Sequence, residues 1–161
     1  RLLERADMTT RIVDVKYFVL LPSVQHVGGP LDDIQWAALL RSISGFEMYR
    51  KRYGRIVPEH VADFLILDRE FPRAVLACVQ EADTSLHAIS GSPATTFHNT
   101  AEQRLGQLRA ELAYASMVDV MGRGLHEFLD GLQQKLNLVD QAVFDTFFAI
   151  RPAGDDAAAQ Q

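Results

Sequence analysis

The sequence is short of several things, and each shortage removes a class of function. It has one cysteine, Cys78, in 161 residues. No internal disulfide can form, which is the usage expected of a reducing cytoplasm. It has no long apolar run: residues 17–21 are apolar and Pro22 then interrupts them, well short of the ~20 residues that cross a bilayer. No membrane partner is therefore expected. A basic surplus is also missing, since 16 Lys and Arg face 21 Asp and Glu for a net charge of −5. A nucleic-acid partner would call for the opposite balance. There is no secretory leader pattern, no internal repeat, and no alternation of apolar and polar residues of the kind that makes strands.

Ligand spacings are missing too. The chain has five histidines, yet none belongs to the Glu-x-x-His pairs of di-iron bundles, and one cysteine cannot complete a zinc cluster. His60, His87 and His126 fall on separate predicted helices, and His26 and His98 in loops. No metal and no cofactor is expected. Ser92 and Ser116 have no recognisable base near them in sequence, so a nucleophilic triad has no support. Cys78, among Val75, Leu76, Val79 and Ala82, reads as an inert small hydrophobe.

Helical periodicity is what the chain does have. Hydrophobic residues make up 48 % of a chain of single-domain length, enough for one sizeable core. The reading is all-α: one domain over residues 1–150, a bundle of about six to eight helices, then a flexible tail over 151–161. Residue 1 already stands in helical register with no Ser, Thr, Asp or Asn ahead of it, so an N-terminal stretch is expected upstream. The first helix, residues 1–21, carries two apolar stripes, one with Leu2, Ala6, Val13 and Tyr17, the other with Met8, Ile12 and Val15. Two stripes imply two covering neighbours. After a loop over 22–31, a helix over 34–44 is capped by Asp32 or Asp33. Short helices over 46–53 and from Pro58 follow. Later helices run to about Ser90, from Asn99 to about Met121, over 125–136, and over 139–150. Asn99 and Glu102 have the spacing of a capping box.

Residues 61–72, VADFLILDREFP, organise the rest. Apolar residues occupy most of this helix circumference, so it belongs at the centre. Asp68 and Arg69 then project into apolar surroundings, and buried charges need partners. Cross-pairing with the first helix would supply them: Arg5 with Asp68, Glu4 with Arg69. On that reading Arg5→Ala strands a buried carboxylate and costs ~3 kcal/mol. The four residues either bind an anion or carboxylate through the arginines or form a structural ion-pair network. Asp68 can also cap the amides of residues 70 and 71 and start a new helix. Arg50, Lys51, Arg52 and Arg55, with Tyr49 and Tyr53, form a basic cluster suited to a phosphate, or simply a solvated face. Gly28-Gly29-Pro30 is too short to cradle a nucleotide.

Four segments taken together, RLLERADMTTRIVDV, QWAALLRSISGFEMYRKRYGR, VADFLILDREFPRAV and GLHEFLDGLQ, resemble the Alpha-E family, an all-helical domain named for a Glu-Arg motif. The resemblance runs in order over residues 1–150 and places the motif on Glu4-Arg5. Family members often carry Asp-Pro ahead of Glu-Phe-Pro-Arg. Here Arg69 stands in that proline's place, which takes Arg69 out of the family pattern and leaves Asp68 as the cap. The resemblance implies partners: such domains occur fused to, or encoded beside, circularly permuted ATP-grasp proteins and transglutaminase-like proteins. It therefore implies an accessory or substrate-holding protein of an amide-ligase system that makes or modifies peptides. Two alternatives stay open. One is an enzyme acting on a peptide or amide, with Glu4 as base and Arg5 as anion holder; the lack of a visible nucleophile or metal set leans against it. The other is a purely structural bundle that forms a homo-oligomer.

Overall fold

The computed structural model describes residues 1–19 and 30–149. Residues 20–29 and 150–161 lie outside the described residues, and with them most of the loop expected over 22–31 and the tail expected over 151–161. Among the described residues there are eight α-helices and no strand: α1 (Leu2–Asp14), α2 (Pro30–Ser42), α3 (Phe46–Tyr53), α4 (Pro58–Ile66), α5 (Val75–Ser90), α6 (Thr100–Ala113), α7 (Met117–Arg123) and α8 (Leu125–Phe147). A π-helical turn, Val15–Val19, continues α1. Helices α1, α5, α6 and α8 close into a four-helix bundle in which each packs on two of the others, while α4 packs on α1, α3, α5 and α7.

The centre is where the apolar density of residues 61–72 puts it. Val61, Ala62, Phe64, Leu65 and Ile66 are buried on every side of α4, which starts with Pro58 in its first turn, where the missing N–H costs nothing. Phe64 stacks on Phe71 with ring centroids 4.7 Å apart and meets Tyr49 edge-on at 5.5 Å. Gly45 lets this cluster close. A Cβ there would stand 2.9 Å from Phe71 Cζ and 3.3 Å from Phe64 Cε1. Gly45→Ala should therefore cost ~1–3 kcal/mol by overpacking, read as a lower midpoint in urea denaturation. An unchanged midpoint would mean that the two rings yield freely.

Several boundaries differ from the periodic reading. Helix α2 begins at Pro30 rather than Ile34; Asp32 is an interior residue of its first turn and not its cap. Helix α5 begins at Val75, because Asp68 caps a turn instead of a helix: its Oδ1 accepts from the amides of Glu70 (2.8 Å) and Phe71 (2.7 Å). The helix over 100–121 breaks at residues 114–116 into α6 and α7, and the two helices expected after Leu125 are one, α8. On α1 the stripe with Met8 and Val15 stays open, with both side chains more than half exposed.

Candidate functional site

The turn between α4 and α5, residues 67–74, is gripped from five sides. From α1, Arg5 Nη1 donates to Pro72 O at 3.3 Å and Thr9 Oγ1 to Arg73 O at 2.8 Å. From α3, Arg52 pairs with Asp68 and, at 2.7 Å, with Glu70. The turn reaches out in return. Arg69 Nη2 donates to Ala113 O at the end of α6 (3.1 Å), and Arg73 Nη1 to Ile43 O after α2 (3.1 Å). From α5, Cys78 Sγ meets Pro72 O at 3.4 Å; burial pushes this thiol's pKa up, which keeps it protonated and unreactive.

These contacts correct the expected cross-pairing. Arg5 does not meet Asp68, because Arg52 fills that role from α3. Glu4 does not meet Arg69, because the two point to different carbonyl- and solvent-lined surroundings. The Glu4 side chain is 81 % exposed, and Arg5 is exposed as well. Asp68 alone of the four is nearly buried, its side chain 6 % exposed. With no buried carboxylate depending on Arg5, its removal loses one exposed hydrogen bond, worth ~1 kcal/mol, and not the 3 kcal/mol of a stranded charge. Nor is the basic cluster one surface: Tyr49 is fully buried, its hydroxyl donating to Arg55 O and accepting from Val57 N.

A second constellation lies at the end of α5, where the sequence offered no base for Ser92. Gly91 ends the helix in the left-handed region at φ 71°, and the reversal carries Ser92 back onto the helix, with its Oγ 2.7 Å from His87 Nδ1. One turn earlier on α5, Asp83 Oδ1 lies 3.8 Å from His87 Nε2, and Asp83 Oδ2 lies 3.0 Å from Arg109 Nε of α6. On the other side, the Ser90 and Ser92 hydroxyls lie 3.0 Å apart, and Ser90 Oγ donates to Leu86 O at 3.0 Å. Asp83, His87, Ser92 and Glu102 are all buried.

Glu102 is the charged end of this cluster. Burial alone would raise its pKa, but donors from Ser90, His98 N–H, Ser92 and Asn99 hold it to about 2. The capping box is thus present in extended form: Glu102 N donates to Asn99 Oδ1 at 2.9 Å, while the carboxylate accepts from His98 N at 2.7 Å and Asn99 Nδ2 at 2.7 Å. Ser92 Oγ shares one hydrogen bond with His87 Nδ1 and one with Ser90 Oγ.

Lys16–Asp32 is a charge pair buried on both sides, N–O 2.6 Å, with both side chains at most 3 % exposed. Lys16 also lies 4.8 Å from the centre of the Trp36 ring. It ties the π-helical end of α1 to α2. His126, in the first turn of α8, pairs with Asp14 at 2.6 Å, and that hydrogen bond raises the imidazole pKa. Among the described residues no group of three His, Cys, Asp or Glu is placed to hold a metal ion, and no helix is long and apolar enough to cross a membrane.

One family model matches residues 1–148: Alpha-E, described as a predicted alpha-helical domain with a conserved ER motif. No curated protein and no solved structure matches the chain.

Proposed function

We propose a function from one premise: the chain belongs to the Alpha-E family. It acts as a helical accessory protein of an amide-ligase system, docking a circularly permuted ATP-grasp ligase or holding its peptide substrate, in the company of a transglutaminase-like protein. The observation that carries this reading is the setting of the motif. Glu4 points outward and Arg5 spends a donor on the Pro72 carbonyl, so the pair stands on an open helix face beside a turn that five elements hold in place. That is the arrangement of a recognition surface. A catalytic base and anion holder would converge in a cavity.

The neighbourhood supports docking in two further ways. Arg50, Lys51 and Arg55 on and after α3 are exposed, offering cations beside that turn. Between α1 and α2 runs an apolar groove of about 450 Å³ lined by Ile12, Val15, Ala38 and Leu39. Met8 and Ile34 lie on the same helix faces and are mostly exposed. A contiguous apolar patch with a polar rim is what a partner covers.

The test is a ligation assay with a purified ATP-grasp ligase of this type, its ATP and its peptide substrate, run with and without the chain. Amide product should rise at least about tenfold when the chain is added, equivalent to ~1.4 kcal/mol of barrier. Equal product in both reactions, or amide bond formation by the chain alone, would contradict the accessory role.

A further inference from the structure

We propose that the chain associates with itself, seating the last two turns of α8 from one copy in the groove between α1 and α2 of another. The inference goes beyond the docking reading and does not rest on it. A second copy covers the groove, and the motif turn is left to the ligase.

The groove is one half of the contact. Its floor is Ile12, Val15, Ala38 and Leu39, and its edges carry cations. Arg11, on the α1 side, is half exposed beyond its pair with Asp7. Arg41, one turn after Ala38 on α2, is exposed and lies 4.3 Å from the centre of the Phe46 ring, a stacking that holds the guanidinium in place. The other half is the end of α8. Phe144, Phe147 and Phe148 are all exposed there, and the Phe144 and Phe148 rings stack with centroids 6.3 Å apart. Asp140, one turn before Phe144, and Asp145, beside it, are exposed too. The helix ends at Phe147, so its last carbonyls add partial negative charge to the same tip.

Each face supplies what the other lacks. The α8 tip offers rigid aromatic side chains of the kind that anchor interfaces, and the groove offers an apolar concavity with no aromatic ring of its own in its lining. Acid on the tip meets arginine on the edges. Groove against groove, or tip against tip, would set like charges together, so charge selects the unlike pairing. One copy cannot make this contact within itself. His126, at the start of α8, is held at Asp14 beside the groove, and Phe144 lies about 27 Å farther along the helix. Contacts between unlike faces add further copies, closing into a ring or running on as a chain.

Sedimentation velocity of the full chain over a range of concentrations tests this. The sedimentation coefficient should rise with concentration, with a Kd of about 100 µM or tighter. Phe148→Ser on the tip and Arg41→Glu at the groove should each weaken association at least about tenfold. Both positions are exposed, and circular dichroism checks that each variant keeps its helices. Exchanging the charges identifies the pairing. Chains with Arg41→Glu, and chains with Asp140→Lys and Asp145→Lys together, should each sediment as monomers, while a mixture of the two should associate. Three outcomes would overturn the proposal: a monomer at every concentration, association unchanged in Phe148→Ser or Arg41→Glu, or no recovery in the mixture. No ligase is present, so failure here leaves ligase docking standing, and the reverse also holds.

Discussion

Lys16→Ala is expected to lower the stability of the fold by ~3–5 kcal/mol, because it breaks an ion pair buried on both sides. Both members of the Lys16–Asp32 pair are at most 3 % exposed, so water cannot replace the lost ammonium without opening the contact between α1 and α2. The ring of Trp36 beneath Lys16 adds a cation–π contact that disappears with it, worth ~1 kcal/mol. In a thermal melt the loss corresponds to a drop of roughly 10 °C for a chain of this size. Combining Lys16→Met with Asp32→Asn should recover part of it, since the second change removes the buried negative charge and keeps an acceptor oxygen. A shift below about 2 °C for Lys16→Ala would show that the pair is hydrated and carries little.

Glu102→Ala is the second large effect, at ~3 kcal/mol, and it depends on pH. The carboxylate is 1 % exposed and collects donors from Ser90, Ser92, Asn99 and the His98 amide. Removing it orphans several of these in one place, at ~1–3 kcal/mol for each buried group left unsatisfied, and also removes the carboxylate half of the α6 capping box. The folded pKa, about 2, lies below the ordinary value of 4.5. The stabilisation is therefore fully present above pH 4.5 and is lost as pH falls toward 2. Urea denaturation of both proteins between neutral pH and pH 3 should show the gap widest at neutral pH and shrinking below 4.5. A gap that stays constant across that range would contradict the assignment of the effect to an ionised Glu102.

What could be read in the sequence divides along physical lines. The burial of residues 61–66 was legible because apolar side chains around a full helix circumference leave no face for water. The Asn99–Glu102 box and the Asp68 cap of residues 70 and 71 were legible because each is a contact within a few residues. Contacts set by topology were not. Asp68 needed a cation, but nothing in residue spacing favours Arg52 over Arg5; the choice depends on α3 lying against the turn. Position 16 continues the buried face of Ala6 and Val13, yet a lysine there reads as solvated until Asp32 arrives from α2. The Ser92–His87 pair needed the left-handed reversal at Gly91, whose direction a sequence pattern does not specify. Two boundaries failed for lack of punctuation: residues 114–116 break the helix without glycine or proline, while Asn137-Leu138 do not break α8.

For function, the family resemblance implies that the Glu-Arg motif falls on Glu4-Arg5, and the geometry changes what those two residues are asked to do. The pair was read as half of a buried charge network; it stands instead on an open face, with Arg5 fastening the turn that Arg52, Thr9, Arg69 and Arg73 also hold. Recognition by that face is the central claim, and Arg5→Ala separates it from stability because the arginine is exposed.

The most direct measurement is the affinity of a purified ATP-grasp ligase for the chain and for its Arg5→Ala variant, with the melting temperature of each chain recorded alongside. The account predicts a complex with the unaltered chain and at least about tenfold weaker binding by the variant, while its melting temperature falls by only a few degrees, as ~1 kcal/mol implies. Equal affinity of both chains, with the variant folded, would contradict it and remove the motif from the recognition surface.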